Sequence, residues 1–367
     1  MKYFLTFCSL VFMACNFSNN PTKDQDWTFP KFVKQDSANP IILPDTSFVF
    51  DCPVSNKKVH WQSKNVLNPT AFIKDGKVYL LYRAQDSAMT SRLGLAISED
   101  GIHFTKQAAP IFFPAKDSVE KYEWHGGVED PRIVSTQDGR YLLTYTSYDG
   151  KTARLCFALS KDLIHWEKQG PLLKSEKYLN AWSKSGAVVV EQKGDQMIAK
   201  KINGKYWMYF GDTQLFMAYS EDLVHWEALE NKESQKLVAV LNPRAGYFDS
   251  RLVEPGPFAL YTKKGIVLIY NSSNAANNND PNLPIYTYAA GQALFDTTQP
   301  YKLIDRTNSY FIHPDKPYEK MGEVNEVCFV EGLVYFKQKW FLYYGTADSK
   351  IAVAIAKPNN YFYSAPN

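Results

Sequence analysis

Short runs of apolar and aromatic residues, separated by turns rich in Gly, Asp and Asn, recur along most of the chain. Four segments share one template, in which a turn precedes or follows an aromatic-rich run: DGKVYLLYRAQ, DGRYLLTYTSYDG, NGKYWMYFGD and QKWFLYYGTAD. A looser fifth segment reads KKGIVLIYNSSN. The turn glycines Gly76, Gly139, Gly204 and Gly265 are 63, 65 and 61 residues apart. Such runs indicate β-strands, and five units of four strands predict an all-β, five-bladed β-propeller.

The second run of each unit ends in Ser-x-Asp-x-x-His-Trp or a relic of this motif. One active site needs one constellation of residues, so a motif that recurs in several units serves the packing of the repeat. We therefore expect His103, His165 and His225 to belong to turns and not to a catalytic site. Functional residues should lie where polar side chains interrupt the template, near the centre on which the blades of a propeller converge.

The first fifteen residues, MKYFLTFCSLVFMAC, have a basic start, an apolar run and a small residue before a cysteine. This pattern is typical of a secretory signal and is too short for a membrane-spanning helix. It resembles a bacterial lipoprotein signal, in which 1–14 would be removed and Cys15 lipidated; ordinary secretion with cleavage nearby is the alternative. We expect a tether and N-terminal extension over 15–45 and the propeller over 46–362. The protein would then be exported and lipid-anchored to the bacterial cell envelope.

Composition narrows the class of partner. Lys and Arg number 41 and Asp and Glu 38, which gives a net charge of +3 without a basic stripe, so a nucleic-acid partner is not expected. The 24 Tyr, 23 Phe and 8 Trp suit strands and offer stacking surfaces for sugars.

If Cys8 leaves with the signal and Cys15 carries lipid, three cysteines remain. Two of these, Cys156 and Cys328, lie in apolar runs and are expected to be buried free thiols. No spacing suggests zinc, so neither a metal nor a cofactor is expected.

The template is first broken by polar residues around two positions. Asn68 precedes the first unit, and Arg83 ends its otherwise apolar strand. The segment HGGVEDPRIV then places the adjacent carboxylates Glu129 and Asp130 before Pro131 and Arg132. An exposed turn with a salt bridge is the simpler interpretation. Apolar strands on both sides favour burial of these charges, and buried charges cluster at functional sites.

Further breaks follow at the starts of later strands. The charged residues in these segments are Lys184, Glu191, Asp249, Arg251, Glu254, Glu323, Glu326 and Glu331. Carboxylates on different blades can converge at the centre of a propeller, and two of them suffice for glycoside hydrolysis, one as proton donor and one as base. Spacing alone does not choose the pair.

Several of these motifs together resemble glycoside hydrolase family 130. They are YRAQ, LGLAISEDGIHF, GGVEDPRIV, DLIHWEK, SKSGAV, EPGP and NEVCFVEGLVYFKQKWFLYYGTAD, and the likeness runs from about residue 60 to 357. The resemblance implies a five-bladed propeller that acts on β-mannosides. It also implies that Asp130, in the Glu-Asp-Pro-Arg motif, is the general acid. Phosphorylases of the family are thought to pass this proton through a mannose hydroxyl.

The chain departs from the phosphorylase pattern at two places. Phe210 and Gly211 stand where phosphorylases tend to have Arg, and Asn271 stands where they tend to have His. Because a dianion needs fixed positive donors, phosphorolysis is disfavoured. In the hydrolytic branch of the family, which acts on β-1,2-mannosidic links, acidic residues occupy this region and hold the attacking water. The positions that match this role are Glu191 and, with the better alignment, Glu254.

The resemblance thus implies an exo-acting, inverting β-mannosidase, β-1,2 specific, with Asp130 as acid and Glu191 or Glu254 as base at the separation of roughly 6.5–9.5 Å that inversion requires. The side chains expected to bind the substrate are Asn68, Arg83, Arg132, Lys184 and Asp348. A β-mannoside phosphorylase that binds phosphate through Arg83, Lys184 and Arg251 is the first alternative. A non-catalytic glycan-binding lipoprotein is the second, although a binding module has little reason to keep the acid. The expected partner is a β-mannoside oligosaccharide, with the lipid as the sole link to a membrane.

Overall fold

The computed structural model describes residues 25–358. The strands before residue 110 are β1 Val33–Lys34, β2 Phe50–Cys52, β3 Lys57–Val59, β4 Asn65–Lys74, β5 Lys77–Gln85, β6 Ser91–Ser98 and β7 Thr105–Lys106. The next are β8 Gly127–Ser135, β9 Tyr141–Tyr148, β10 Ala153–Ser160, β11 Glu167–Pro171, β12 Ala187–Lys193, β13 Gln196–Ala199, β14 Lys201–Ile202, β15 Lys205–Phe210, β16 Phe216–Ser220 and β17 Glu227–Ala228.

The remaining strands are β18 Leu252–Pro255, β19 Ala259–Tyr261, β20 Ile266–Ser273, β21 Tyr288–Phe295, β22 Leu303–Arg306, β23 Cys328–Phe336, β24 Lys339–Thr346 and β25 Lys350–Ala356. The helices within 25–358 are single turns, α1 Glu120–Glu123, α2 Glu176–Leu179 and α3 Pro317–Lys320. None of them is long and apolar enough to cross a bilayer. The all-β class predicted from the sequence is confirmed.

Antiparallel pairing joins most of the strands into five consecutive groups. They are β4 to β7, β8 to β11, β12 with β15 to β17, β18 and β19 with β20 to β22, and β23 to β25 with β1. The first strands of neighbouring groups pack side by side, as β4 does with β8 and β23. Strand β12 pairs in parallel with β19. These first strands are largely buried, and the site described below lies along them.

The repeated turn motif has the same geometry in three groups. Nδ1 of His165 lies 2.7 Å from Oδ2 of Asp162, and its ring is 86% exposed. The hydroxyl of Ser160 accepts the amide of Leu163 and closes the turn. His103 and His225 repeat this arrangement with Asp100 and Asp222. The prediction that these histidines belong to turns is confirmed.

The first described residues are part of the folded body. Trp27, Phe29 and Phe32 are buried in the main hydrophobic core, and Val33 of β1 pairs with Ile355 of β25. Within the tether and extension expected over 15–45, this described part therefore belongs to the folded body, because its apolar side chains are already buried. Residues 1–24 and 359–367, with Cys15, the signal and the expected end at 362, lie outside the described residues.

Lipidation at Cys15 and the location in the cell envelope thus stay predictions. The other thiols can be compared with the sequence analysis. Cys52, Cys156 and Cys328 are free and buried, as expected for Cys156 and Cys328.

Candidate active site

Backbone irregularities direct polar side chains out of three of the first strands. The register of β4 shifts at Asn68, that of β8 at Asp130 and Pro131, and that of β23 at Glu331. Asn68 and Asp130 have φ of 46° and 49°, a region that non-glycine residues seldom occupy. A β-bulge bends the strand and re-aims a side chain that regular alternation would place elsewhere. The three bulges therefore place polar groups where apolar strand residues would otherwise pack.

Asp130 lies at the centre of a charged cluster. The Asn68 amide donates a hydrogen bond of 2.8 Å to its Oδ1, and Nη1 of Arg83 donates to the same atom at 3.1 Å. Nζ of Lys184 is 3.8 Å from Oδ2. Burial alone would raise the pKa of Asp130, but Arg83, Lys184 and the Asn68 amide together lower this pKa to about 2. Asp130 is therefore ionised in the unliganded protein at neutral pH.

Glu129 holds Arg83 in place beside Asp130. Nη2 of Arg83 donates to Oε1 of Glu129 at 2.7 Å, and the Ser91 hydroxyl donates to the same oxygen at 3.2 Å. The backbone of β8 approaches Ser91 so closely at Gly127 that an added Cβ would lie 2.1 Å from the Ser91 carbonyl oxygen. Only glycine fits this approach, which explains the Gly-Gly pair before the carboxylates.

Arg132 has a structural role and not the sugar-binding role that we expected. Its guanidinium donates to the carbonyl oxygens of Pro255 and Gly256, both at 2.6 Å, and lies 3.0 Å from Oε1 of Glu331. The side chain is 3% exposed. Because these donors already bind backbone oxygens and a buried carboxyl, Arg132 joins β8 to β18 and stabilises the backbone next to Asp130.

Glu254, near the end of β18, is a further buried carboxyl of the cluster. It accepts a hydrogen bond from the hydroxyl of Ser185, a residue with φ of 55°. Burial raises the pKa of Glu254 to about 7 against the opposing effect of Lys184, and the nearby carboxylates of Asp212 and Asp130 add to the rise. Lys184 therefore lowers the pKa values of both Asp130 and Glu254. The Glu254 carboxyl can change protonation near neutral pH.

Two further residues that we expected to bind the sugar, Asn68 and Asp348, also lie near Asp130. Burial raises the pKa of Asp348 to about 6, although Arg83 lowers it. Oδ1 of Asn68 is buried and has no hydrogen-bond partner within residues 25–358. The amide nitrogen of Asn68, and not this oxygen, is the atom that contacts Asp130. Asn68, Arg83, Lys184 and Asp348 thus come together around Asp130, as the sequence analysis expected.

Glu191 does not join this cluster. Its carboxylate lies 2.7 Å from Nζ of Lys200 and 3.2 Å from Nζ of Lys193, near the outer end of β12. Burial would raise its pKa, but these two lysines lower it. We correct the expectation that Glu191 serves as base, because β12 carries the chain away from the bulges before it reaches residue 191.

The Glu191→Gln variant is accordingly expected to retain turnover close to wild type. Partly exposed ion pairs contribute about 0–1 kcal/mol, so its stability should change little. Steady-state kinetics and a thermal melt test both statements. A loss of turnover by orders of magnitude would restore Glu191 to the catalytic machinery.

The sequence analysis missed Ser185, Asp212 and Tyr288. Burial raises the pKa of Tyr288, with Glu254 and Asp348 adding to the rise, so this phenol lies near the same cluster. The sequence does mark three of the cluster residues, because Asn68, Asp130 and Glu254 each directly precede a proline. Asn68 and Asp130 lie on two of the bulged first strands. Nothing comparable marks Ser185, Asp212 or Tyr288.

The two positions that depart from the phosphorylase pattern are occupied by groups with structural contacts. Phe210 is 2% exposed and packs against Phe216. Asn271 is fully buried, and its amide donates to the carbonyl oxygen of Val330 and accepts the Val330 amide, at 2.9 and 2.7 Å. Neither side chain offers a positive donor. Over the described part of the chain, no cluster of three or more His, Cys, Asp or Glu could hold a metal ion.

A family model described as beta-1,4-mannooligosaccharide phosphorylase, that of glycoside hydrolase family 130, matches residues 32–360. The chain belongs to family 130. This family-130 chain is 32% identical to the 1,2-beta-oligomannan phosphorylase of Thermoanaerobacter sp. (strain X514), over 83% of this chain and 95% of the relative. Identity to the beta-1,2-mannobiose phosphorylase of the same strain is 28%, over 82% and 92%.

Solved structures of similar chains include hydrolases. A glycosyl hydrolase from Bacteroides ovatus is 42% identical, has a TM-score of 0.88, and covers 92% of this chain and 96% of its own. A second structure, reported for glycoside hydrolases of the family "that target beta-1,2 mannosidic linkages in Candida mannan", is 44% identical with a TM-score of 0.89. That match covers 93% of this chain and 98% of the other. The family-130 enzymes act on mannosides, and both phosphorylases and hydrolases are among the relatives.

Proposed function

We propose that this family-130 enzyme hydrolyses β-1,2-mannosidic linkages from the non-reducing end of mannan-type oligosaccharides, with inversion at the anomeric carbon. The observation that carries the proposal concerns Asn271. Both polar atoms of its side-chain amide form hydrogen bonds with the backbone of Val330. With Phe210 packed in the core, two donors expected for a phosphate dianion are missing. One solved relative, reported for hydrolases of the family that target β-1,2-mannosidic linkages, supports the linkage.

We also propose that the five antiparallel groups are the blades of a five-bladed propeller. Their order along the chain and the packing of their first strands support this architecture. Strand β1 would then complete the last blade beside β25, which closes the ring with the N-terminal part of the chain. Such closure protects the sheet edges and joins the first and last units.

In the proposed reaction, Asp130 donates its proton to the glycosidic oxygen while Glu254 takes a proton from the attacking water. The water oxygen forms a bond to the anomeric carbon, and the bond from that carbon to the leaving oxygen breaks. The donor must therefore be protonated in the bound complex, whereas Arg83 and Lys184 keep Asp130 ionised without substrate. The mechanism therefore requires that the bound sugar separate Asp130 from these cations. Asn68, Arg83 and Asp348 would then form hydrogen bonds with the sugar hydroxyls.

Phosphorolysis is the second candidate function. Lys184 and Arg83 still place two cations beside Asp130, and the curated relatives at 32% and 28% identity are phosphorylases. Arg251, which could be a third cation, has its guanidinium 5.0 Å from the ring centre of Tyr286. A non-catalytic glycan-binding role is opposed by the buried, oppositely shifted carboxyls of Asp130 and Glu254.

We expect the enzyme to release mannose from β-1,2-mannobiose at the same rate with and without inorganic phosphate. The reason is that Phe210 and Asn271 replace two positive donors expected in phosphorylases, so that Arg83 and Lys184 alone would have to hold the dianion. Product analysis by anion-exchange chromatography distinguishes mannose from mannose 1-phosphate. Mannose 1-phosphate as the main product, formed in proportion to phosphate, would establish the phosphorylase instead.

A further inference from the structure

A tryptophan beside the catalytic cluster is held in a fixed orientation although it is largely exposed. Trp182 is 54% exposed, yet its indole Nε1 donates a hydrogen bond of 2.6 Å to Oδ2 of Asp212. The Tyr148 ring packs edge-on against the indole at a centroid distance of 6.4 Å. An exposed apolar ring that is oriented by a charged acceptor offers a rigid flat face to a ligand.

This tryptophan lines an open pocket of about 400 Å³. The lining includes Tyr178, Ser183, Phe210 and Asp212. The amide of Gly211 in the same wall donates to the carbonyl oxygen of Lys184 at 2.9 Å, and the Lys184 ammonium lies 3.8 Å from Asp130. The same ammonium lies 6.0 Å from the centre of the Trp182 ring, so this wall of the pocket borders the catalytic cluster.

We propose that Trp182 and Asp212 form an acceptor subsite, in which the indole stacks on the pyranose ring at the leaving-group side of the scissile bond. This inference rests on the proposed β-mannosidase function and adds to it the residues that read the second sugar. A sugar ring has an apolar face of C–H groups and a polar edge. Trp182 matches the face, and the second oxygen of the Asp212 carboxylate can accept a hydroxyl.

The position of the pocket assigns it to the leaving-group side. An exo-acting enzyme holds the terminal mannose in the most enclosed part of the site, where Asn68 and Asp130 are buried. The rest of the oligosaccharide must then lead outward to solvent. Trp182 is more than half exposed, whereas Asn68 is 6% and Asp130 3% exposed, so its indole is placed to contact the part of the oligosaccharide that leads outward.

Binding measurements on the full chain test the subsite without relying on turnover. In an Asp130→Asn background, β-1,2-mannobiose and mannose are titrated by calorimetry with and without Trp182→Ala. We expect Trp182→Ala to weaken mannobiose binding about tenfold and to leave mannose binding unchanged, since one stacked ring is lost. Trp182→Phe should retain most of the affinity because it keeps a flat ring. Tyr301→Ala removes another exposed ring, one that packs on Trp207 outside the pocket, and should have no effect.

Kinetics with otherwise wild-type enzyme add a second readout. Trp182→Ala should raise KM for β-1,2-mannobiose with a smaller change in kcat, as expected for loss of uniform binding. Equal weakening of mannose and mannobiose, or no change for either, would overturn the subsite, provided that thermal melts show folded variants. Because the binding arm is independent of phosphate, the subsite can be confirmed even if the enzyme proves to be a phosphorylase.

Discussion

Asp130→Asn is expected to lower kcat on β-1,2-mannobiose by roughly three orders of magnitude, because general acid catalysis commonly contributes 10²–10⁴-fold. Asn keeps the size of the side chain and can still accept the Asn68 amide, but it has no proton to give to a sugar leaving group. An aryl β-mannoside with an acidic phenol should lose far less, since its leaving group departs without full protonation.

The control for this variant must show that the protein still folds. Removal of the Asp130 charge leaves Arg83 and Lys184 with one carboxylate fewer, so a thermal melt must accompany the kinetics. The Glu191→Gln variant serves as a matched loss of a carboxylate outside the cluster. An equal loss on mannobiose and on the aryl substrate, in a folded protein, would remove Asp130 from the role of proton donor.

Glu254→Gln is expected to cause a loss of comparable size, because the attacking water then has no base to receive its proton. An activated leaving group does not compensate for a missing base, so both substrates should suffer alike. This pattern separates Glu254 from Asp130 with the same two substrates. A folded Glu254→Gln variant that recovers on the aryl mannoside would exchange the two roles.

The pH dependence of the wild-type enzyme gives an independent measure of the base. With the pKa of Glu254 at about 7, a base at this position is lost by protonation as the pH falls, so kcat/KM should decline below about pH 7. An acid at this position would produce the opposite limb, with decline as the pH rises above that value.

Proton NMR of the first product should show α-mannose, and β-mannose would contradict inversion.

Much of the fold was predictable from the sequence because strands, turns and repeats are local signals. The all-β class, the turn glycines and the roles of His103, His165 and His225 followed from the recurrence of one template at a spacing of 61–65 residues. Membership of the family followed from motifs that lie within single units. Each of these inferences needs only residues that are close together in the chain.

The site was predictable only in part. Asn68, Arg83, Asp130, Lys184 and Glu254 were identified as breaks in the template, and the structure brings them together. Glu191 looked equivalent to Glu254, but it lies between two lysines at the outer end of its strand. The sequence shows that a polar residue interrupts a strand, but not whether the fold brings that residue to the cluster around Asp130.

By itself, the sequence determined the strand repeat, the family and the set of charged residues from which an active site could be built. The tertiary structure alone decided which of them meet, because the contacts join residues that are remote in the chain. Asn68 and Asp130 are 62 residues apart, and Ser185 and Glu254 are 69 apart. It also decided that Arg132 is committed to the backbone of β18 and that Trp182 is exposed beside the cluster. The physical reason is that bulges and packing between first strands set the direction of each side chain, and neither follows from local alternation.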